Sequence, residues 1–233
     1  MLKTCAAIDF IGRNLYMQPH RTVTEMRGAI KEWCVSGNIP AITETNSGTD
    51  AVAPRLAFLS IGEFGAPLFA PWALNVSYPN PGVPYVLEDG SLANGAFALR
   101  DAFMTLRKAP AQVAWHAASD RLRVFMSEKP GENFRRKDNV GGLKVEVNGW
   151  LGGQAIVIRT GDREVLFLGY HSGMALTTEM ETWPHLKGIR VEQGHYRDGN
   201  RWIPKGIPKY GIDQSRKRIH FWVEEPAAVR VTW

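Results

Sequence analysis

The chain of 233 residues has few cysteines and no apolar segment of membrane-spanning length. Cys5 and Cys34 are its two cysteines, too few for a disulfide framework, and neither stands in the Cys/His spacing of a zinc site. No run approaches the roughly 18 apolar residues that cross a bilayer, and the first residues lack the apolar stretch and cleavage site of a signal peptide. The sequence as given therefore predicts a cytoplasmic protein without a membrane partner.

Motifs of the large cofactor-dependent and hydrolase classes are absent as well. The sequence contains no Gly-rich phosphate loop, no dinucleotide fingerprint, no Gly-x-Ser-x-Gly elbow and no His-Glu-x-x-His helix. His171 and Ser172 are neighbours that resemble a base and a nucleophile, but the spacing places no third group beside them. We therefore expect no bound cofactor and no metal.

The charge is uneven along the chain. The net charge is +5, and the whole excess lies in residues 111–233, where the basic runs Arg135–Lys137 and Arg216–Arg218 stand near aromatic residues. Such runs contact phosphates in nucleic-acid-binding proteins. They more often belong to charged strand edges that prevent association between sheets. We favour the second interpretation and expect no nucleic-acid partner.

Short apolar runs alternate with helical patterns in residues 1–110. Strands are predicted at 7–16, 39–45 and 66–74, and helices at 22–34, 51–63 and 91–108. Thr22, with Glu25 three residues on, marks the start of the first helix. The βαβαβ order implies a parallel sheet with helices packed on it.

The hydrophobic period changes to two from about residue 120. Seven segments have this alternation: RLRVFM, LKVEVNG, QAIVIR, EVLFLGY, IRVEQGHY, RIHFWVE and AVRVTW. Turn residues separate them, such as Gly161-Asp162 and Asp198-Gly199. The predicted fold class is therefore α/β plus all-β, with an α/β domain over residues 1–110 and an antiparallel β-sandwich over residues 111–233.

Polar and aromatic side chains stand where the three predicted parallel strands end. They are Asn14, Tyr16, Glu44, Asn46, Trp72 and Asn75. In a parallel β/α barrel, the strand ends and following loops form the catalytic face. A carboxylate there attacks an anomeric carbon, a tyrosine hydrogen-bonds the carboxylate, and an indole stacks on a sugar ring. A lone Glu in this position is more often an acid at a helix N-terminus. The presence of Tyr16 and Trp72 at neighbouring strand ends instead favours a glycoside-binding site.

Four strings carry a resemblance to a known family: IDFIGRNLYM, IPAITETNSG, LAFLSIGEFGAPLFAPWALN and LANGAFALRDAFMTLR. In order and spacing they resemble the sixth, seventh and eighth strands and the following helix of the (β/α)8 barrel in clan A glycoside hydrolases. The resemblance is greatest to β-galactosidase-like proteins of glycoside hydrolase family 35, whose barrel precedes a domain of unknown function, family 5597. It implies a retaining β-galactosidase-like enzyme that acts on β-linked glycans.

The resemblance also implies roles for individual residues. The nucleophile, a Glu ending the seventh strand, falls on Glu44 of ITETN. The strand-six tyrosine falls on Tyr16 and the strand-eight aromatic residue on Trp72. The asparagines at the same strand ends are expected to contact substrate; they are Asn14, Asn46 and Asn75.

The chain departs from the family at the acid/base residue. In the family that Glu ends the fourth strand, whereas this chain is expected to begin near the sixth, as the last three β/α units of a barrel. Glu63 stands near the end of a helix, on the wrong side of the sheet for an acid. We therefore expect negligible glycosidase activity from this chain alone. The expected partners are a glycan, a second copy at the open edge, or a complementary N-terminal barrel fragment, and an intact parent enzyme could be exported.

A non-catalytic carbohydrate-binding or assembly module is the alternative function. The second half contains six tryptophans, Trp115, Trp150, Trp183, Trp202, Trp222 and Trp233. Indole rings are suited to stacking on sugars or on a partner chain. Tryptophans in a β-sandwich, however, more often pack in the core or between domains.

Overall fold

The computed structural model describes residues 11–35, 38, 40–47, 49, 51–72, 85–177, 188–213, 215 and 217–233. Of the described residues, 47% lie in strands and 21% in helices. The chain divides into two compact units, which we name the N-unit (Met1–Phe103 with Glu128–Pro130) and the C-unit (Met104–Ser127 with Gly131–Trp233). None of the described helices is both long and apolar enough to cross a bilayer.

The N-unit contains a three-stranded parallel sheet in the order β1-β2-β3. Its strands are β1 (Gly12–Leu15), β2 (Ala41–Ser47) and β3 (Phe69–Trp72). Its helical segments are α1 (Val23–Lys31), α2 (Val52–Ala57), a π-helical turn (Phe58–Glu63) and most of α3 (Ala96–Leu106). Helix α1 follows β1 and helix α2 follows β2, so successive parallel strands are connected through helices.

Helix α1 begins at a capping box. The Thr22 hydroxyl accepts the backbone N–H of Glu25, and the Glu25 carboxylate accepts the backbone N–H of Thr22 at 2.7 Å. Each contact satisfies an amide group at the helix entrance. Val23, Met26 and Ile30 recur at helical spacing and are buried. One stripe of α1 therefore packs into the core of the N-unit.

Helix α2 and the turn after it are buried on nearly all sides. Every residue from 52 to 60 is buried, as expected of an apolar helix that lies within a core. Leu99 of α3 belongs to one buried cluster with Ala53 of α2. Phe69 of β3 contacts Phe103 of α3 edge to face, with ring centroids 6.1 Å apart. The sheet, α2 and α3 thus share a core.

The C-unit contains α4 (Pro110–His116) and a nine-stranded antiparallel sheet. Its strands are β4 (Leu122–Met126), β5 (Phe134–Val140), β6 (Leu143–Gly161), β7 (Glu164–Thr177), β8 (Arg190–Arg197), β9 (Arg201–Gly206), β10 (Tyr210–Asp213), β11 (Arg218–Val223) and β12 (Ala227–Thr232). All seven alternating segments predicted from the sequence overlap these strands. The period-two pattern therefore located six of the nine described strands of this unit, and β5, β9 and β10 were not predicted.

The hairpin of β6 and β7 forms the centre of this sheet. The first half of β6 pairs with β5 and the second half with β4, while β7 pairs first with β12 and then with β11. The β6–β7 pairing is interrupted between Gly149 and Gln154. Leu151, Gly152 and, on the opposite strand, His171 adopt the left-handed conformation there. This bend lets one hairpin serve two sets of partner strands.

Both sets of strands contribute to one core. Phe167 in the first half of β7 contacts Phe221 of β11 edge to face, with ring centroids 5.2 Å apart. Met174 in the second half of β7 and Val229 of β12 belong to the same buried cluster. Because β11 and β12 pair with different halves of β7, the sheet must fold over itself around these side chains.

The fold class predicted from the sequence is wrong. The described residues are mainly β, with sheets of three and nine strands and four helices, and without the helical ring of a (β/α)8 barrel. The predicted β-sandwich is one hydrogen-bonded sheet bent over its own core rather than two separate sheets. Apolar runs specify individual βα units, but closure into a barrel depends on pairing between strands that are far apart in the chain.

Candidate functional site

Glu44 is the central residue of β2 (Ala41–Ser47), and it lies beside Asn14 near the end of β1. Asn14 is opposite Glu44 in the parallel register, whereas the preceding residue, Arg13, is opposite Ile42. Thr43 is therefore an extra residue on β2, and such irregularities often re-aim side chains next to functional sites. Here the irregular register leaves both Thr43 and Glu44 within hydrogen-bonding distance of Asn14.

The Glu44 carboxylate accepts a hydrogen bond on each of its oxygens. The Tyr16 hydroxyl donates to Oε1 in a short contact, and Nδ2 of Asn14 donates to Oε2 at 3.3 Å. In the described part of the chain, no Lys or Arg forms an ion pair with Glu44. Neutral donors therefore hold the carboxylate, and lone pairs remain on both oxygens.

Tyr16 is a neutral donor throughout the physiological pH range. Partial burial, the hydrogen bond to Glu44 and the negative charge of Glu44 together raise the pKa of Tyr16 to about 12. The residue as a whole is 53% exposed, so its ring borders solvent while its hydroxyl faces the carboxylate. A ligand in solvent can therefore reach this pair.

Two contacts with β2 hold the chain on either side of Tyr16. The Thr45 hydroxyl is buried and donates to the carbonyl oxygen of Leu15 at 2.6 Å. The Asn46 side chain accepts the backbone N–H of Met17 at 2.9 Å and donates to its carbonyl oxygen at 2.8 Å. The backbone position of Tyr16 is thus set by β2 before any ligand arrives. Asn46, expected to contact substrate, has its amide group engaged in this positioning.

Sequence reasoning missed the role of Thr43. Its hydroxyl donates to Oδ1 of Asn14 at 2.9 Å, which orients the Asn14 amide with Nδ2 toward Glu44. Gly12 leaves room for this side chain, because a Cβ at that position would stand 2.3 Å from Cγ2 of Thr43. The signal that the sequence offered was the run of polar residues in ITETN. Successive residues of a strand point to opposite faces, so this run places polar groups on both faces of the strand.

Trp72 and Asn75 were the two further residues expected to contact substrate. Trp72 ends β3, where its Cα pairs with that of Ser47, three residues beyond Glu44 along β2. The expected stacking of Trp72 on a sugar beside Glu44 stays a prediction. Asn75 lies outside the described residues.

Other groups considered from the sequence have structural contacts. Glu63 accepts both of its hydrogen bonds from Nε of Arg27, at 2.9 and 3.0 Å, at the end of the π-helical turn. Ser172 is buried and donates to the carbonyl oxygen of Gln154 at 3.2 Å. Within the described ranges, no group of three or more His, Cys, Asp and Glu residues could hold a metal ion.

The chain fits no protein-family model, and no curated protein matches it significantly. The resemblance to family 35 glycoside hydrolases therefore stays a prediction that rests on the quoted strings. Any functional conclusion has to be drawn from the geometry of Glu44, Tyr16 and Asn14.

Proposed function

We propose that the N-unit carries the nucleophile of a retaining glycoside hydrolase that acts on β-linked glycans, with Glu44 as the attacking carboxylate. The observation that supports this most is that each Glu44 oxygen accepts a hydrogen bond from a neutral side chain, Tyr16 or Asn14. Neutral donors orient a carboxylate without cancelling its charge, whereas a paired Arg or Lys would stabilise that charge more strongly and weaken the nucleophile.

The first step forms a bond between a Glu44 oxygen and the anomeric carbon. The bond from that carbon to the leaving oxygen breaks, and its electron pair departs with the leaving group. Tyr16 keeps its proton because its pKa is about 12, so it hydrogen-bonds the carboxylate before attack and the ester afterwards. Water then attacks the anomeric carbon of the glycosyl ester, and the bond from that carbon to the Glu44 oxygen breaks with its electron pair returning to the carboxylate. The proton of the water passes to solvent, and the two steps together give net retention of configuration.

Protonation of the leaving oxygen needs a second carboxyl group, about 5 to 5.5 Å from the nucleophile in retaining enzymes. Among the described residues, no second carboxyl group is in hydrogen-bond contact with Glu44, Tyr16 or Asn14. General acid catalysis contributes typically 10²- to 10⁴-fold. The proposal is therefore tested with glycosides whose leaving groups need no proton.

Dinitrophenyl fluoroglycosides meet this requirement, because the leaving phenolate is stable and a fluorine beside the anomeric carbon slows hydrolysis of the ester. We expect incubation with the β-galactoside, β-glucoside or β-xyloside to add one fluoroglycosyl group to the chain. Intact-mass measurement detects the adduct, and peptide mapping should place it on Glu44. Tyr16→Phe should slow labelling roughly tenfold or more, since a hydrogen bond to a charged group contributes about 1.5 to 3 kcal/mol.

Glu63→Gln is the matched control, because Glu63 is a carboxylate of the same unit that is ion-paired with Arg27. It should label at the wild-type rate, whereas Glu44→Gln should not label. An adduct on another residue, or unchanged labelling of Glu44→Gln, would contradict the proposal. Absence of labelling by every sugar of the series would contradict it as well.

A further inference from the structure

The six tryptophans predicted as a possible sugar platform separate into different environments. Trp233 belongs to the core, Trp202 packs under the Arg230 guanidinium, Trp115 is exposed on α4, and Trp183 lies outside the described residues. Trp150 of β6 and Trp222 of β11 line one cavity of about 360 Å³ on the C-unit. We name this cavity the tryptophan groove.

The floor of the tryptophan groove is the backbone of β7. Met174 and Leu176 point into the core, so Gly173 and Ala175 point to the opposite face of the sheet. Gly173 is flanked by Asn148 on β6 and by Trp222 on β11. A Cβ on Gly173 would stand 2.7 Å from the carbonyl oxygen of Phe221. The position therefore admits only glycine, so no side chain fills the floor of the groove between Asn148 and Trp222.

The walls of the groove present two indole rings. Trp222 is 45% exposed, and it lies on β11, where it pairs with Gly173 of β7. Trp150 lies two residues after Asn148, and its indole N–H donates to a Glu224 carboxylate oxygen at 3.3 Å. Half-exposed aromatic rings that line a shared cavity are typical of binding sites rather than of folding cores.

Polar groups complete the lining with both donors and acceptors. The His220 imidazole lies over Gly211, since a Cβ on Gly211 would stand 2.5 Å from His220 Nε2. Asp213 and Arg218 are opposite each other on β10 and β11, and Arg218 is held by Glu146 at 3.0 Å. With Asn148 of the wall, these groups offer N–H donors and oxygen acceptors close to the rings.

We propose that the tryptophan groove binds a sugar unit of a neutral glycan, with Trp222 and Trp150 stacking on the pyranose ring. Sugar hydroxyls need donors and acceptors together, and Asn148, His220 and Asp213 supply both. Among the described residues of the lining, one arginine and one aspartate carry opposite charges. Their charges offset each other, so these residues give a phosphate chain no net attraction. The site belongs to the C-unit and does not depend on the nucleophile proposed for the N-unit.

Binding is tested with the full chain and soluble neutral β-glycans: galactan, xylan, mannan and mixed-linkage glucan. Retardation in affinity electrophoresis identifies the glycan, and titration calorimetry with its oligosaccharides measures the dissociation constant. We expect Trp222→Ala to weaken binding about tenfold or more, the scale of one lost stacking contact. Trp222→Phe keeps a smaller ring and should weaken binding less. Trp115→Ala removes an exposed tryptophan outside the groove and should stay within about twofold of the wild type.

Glu44→Gln separates this proposal from the proposed function. It should bind the glycan with wild-type affinity even though it cannot form the covalent adduct. Failure of every neutral glycan to retard the chain overturns the groove proposal, as does wild-type binding by folded Trp222→Ala and Trp222→Phe. Heparin and single-stranded DNA are the anionic comparators. Binding to them alone, weakening as salt rises, would assign the surface to polyanions instead.

Discussion

The N-unit and the C-unit build their sheets in opposite ways. The N-unit strands have four, seven and four residues and run parallel, whereas the central hairpin of the C-unit has strands of 19 and 14 residues. In the N-unit, the chain that leaves the short strand β1 brings Tyr16 against Glu44 in the middle of the neighbouring strand β2. A long antiparallel hairpin instead separates a core face from a solvent face. The parallel sheet places polar side chains of neighbouring strands close together, and the antiparallel hairpin offers a binding surface along its strands.

The largest expected effect is on the free energy of unfolding, and it should differ between the cores of the two units. Phe167 of the C-unit is fully buried against Phe221, so Phe167→Ala should lower the free energy of unfolding by about 3 to 5 kcal/mol. Phe69 of the N-unit is only partly buried, so Phe69→Ala should cost less because less apolar surface returns to water. Urea unfolding followed by circular dichroism measures both values. Ile207→Ala, at a position 75% exposed, serves as the control and should change stability by less than about 0.5 kcal/mol. A loss for Phe69→Ala as large as that for Phe167→Ala would remove the contrast.

A smaller effect concerns two glycines in close packing. A Cβ on Gly153 would stand 2.0 Å from the backbone carbonyl oxygen of His171, whereas a Cβ on Gly12 meets the Thr43 side chain. A backbone atom cannot rotate away, so Gly153→Ala should cost about 1 to 3 kcal/mol of stability. Gly12→Ala should cost less, because Thr43 can change rotamer. That rotation takes the Thr43 hydroxyl away from Asn14, so fluoroglycoside labelling of Glu44 should slow. Equal stability losses, with labelling unchanged in Gly12→Ala, would contradict this expectation.

The smallest expected effect concerns the pKa of one tyrosine in each unit. Burial and Glu44 raise the pKa of Tyr16 from 10.0 to about 12, and burial and Glu164 raise that of Tyr196 in the C-unit to about 12. Each folded state favours the neutral phenol, so the stabilisation is present below pH 10 and lost as the pH rises to about 12. Carbon NMR of the tyrosine ring carbons bonded to oxygen follows both groups. Glu44→Gln should lower the pKa of Tyr16 and leave Tyr196 unchanged, while titration of wild-type Tyr16 at its ordinary pKa would refute the assigned contacts.

Sequence patterns located the local elements but not the fold class. The capping box of Thr22 and Glu25 marked the start of α1, and period-two alternation marked six of the nine described strands of the C-unit. Both signals involve residues a few positions apart. The barrel was inferred from the order of short strings that resemble glycoside hydrolases. That order is compatible with any parallel βαβαβ sheet, so it did not determine the number of strands or their closure.

The two candidate sites could be predicted from the sequence to different extents. Strand-end reasoning identified Glu44, Tyr16 and Asn14 as neighbours of one edge, but the role of each is still a proposal. The contacts of Thr43 and Asn46 were not predicted, because they depend on the irregular register of β1 with β2. The tryptophan groove was not predicted either, since only the pairing of β7 with β6 and β11 brings Trp150 and Trp222 to one cavity.

By itself, the sequence determined where most helices and strands form in the described residues, since hydrophobic period and capping act between near neighbours. Tertiary structure decided which strand edges meet. Every strand edge offers the same backbone donors and acceptors, so the choice among partners depends on side-chain packing between distant segments and on the closure of the connecting loops. That choice gave β7 three partner strands, bent one sheet around its core, and brought the Tyr16 hydroxyl to the Glu44 carboxylate.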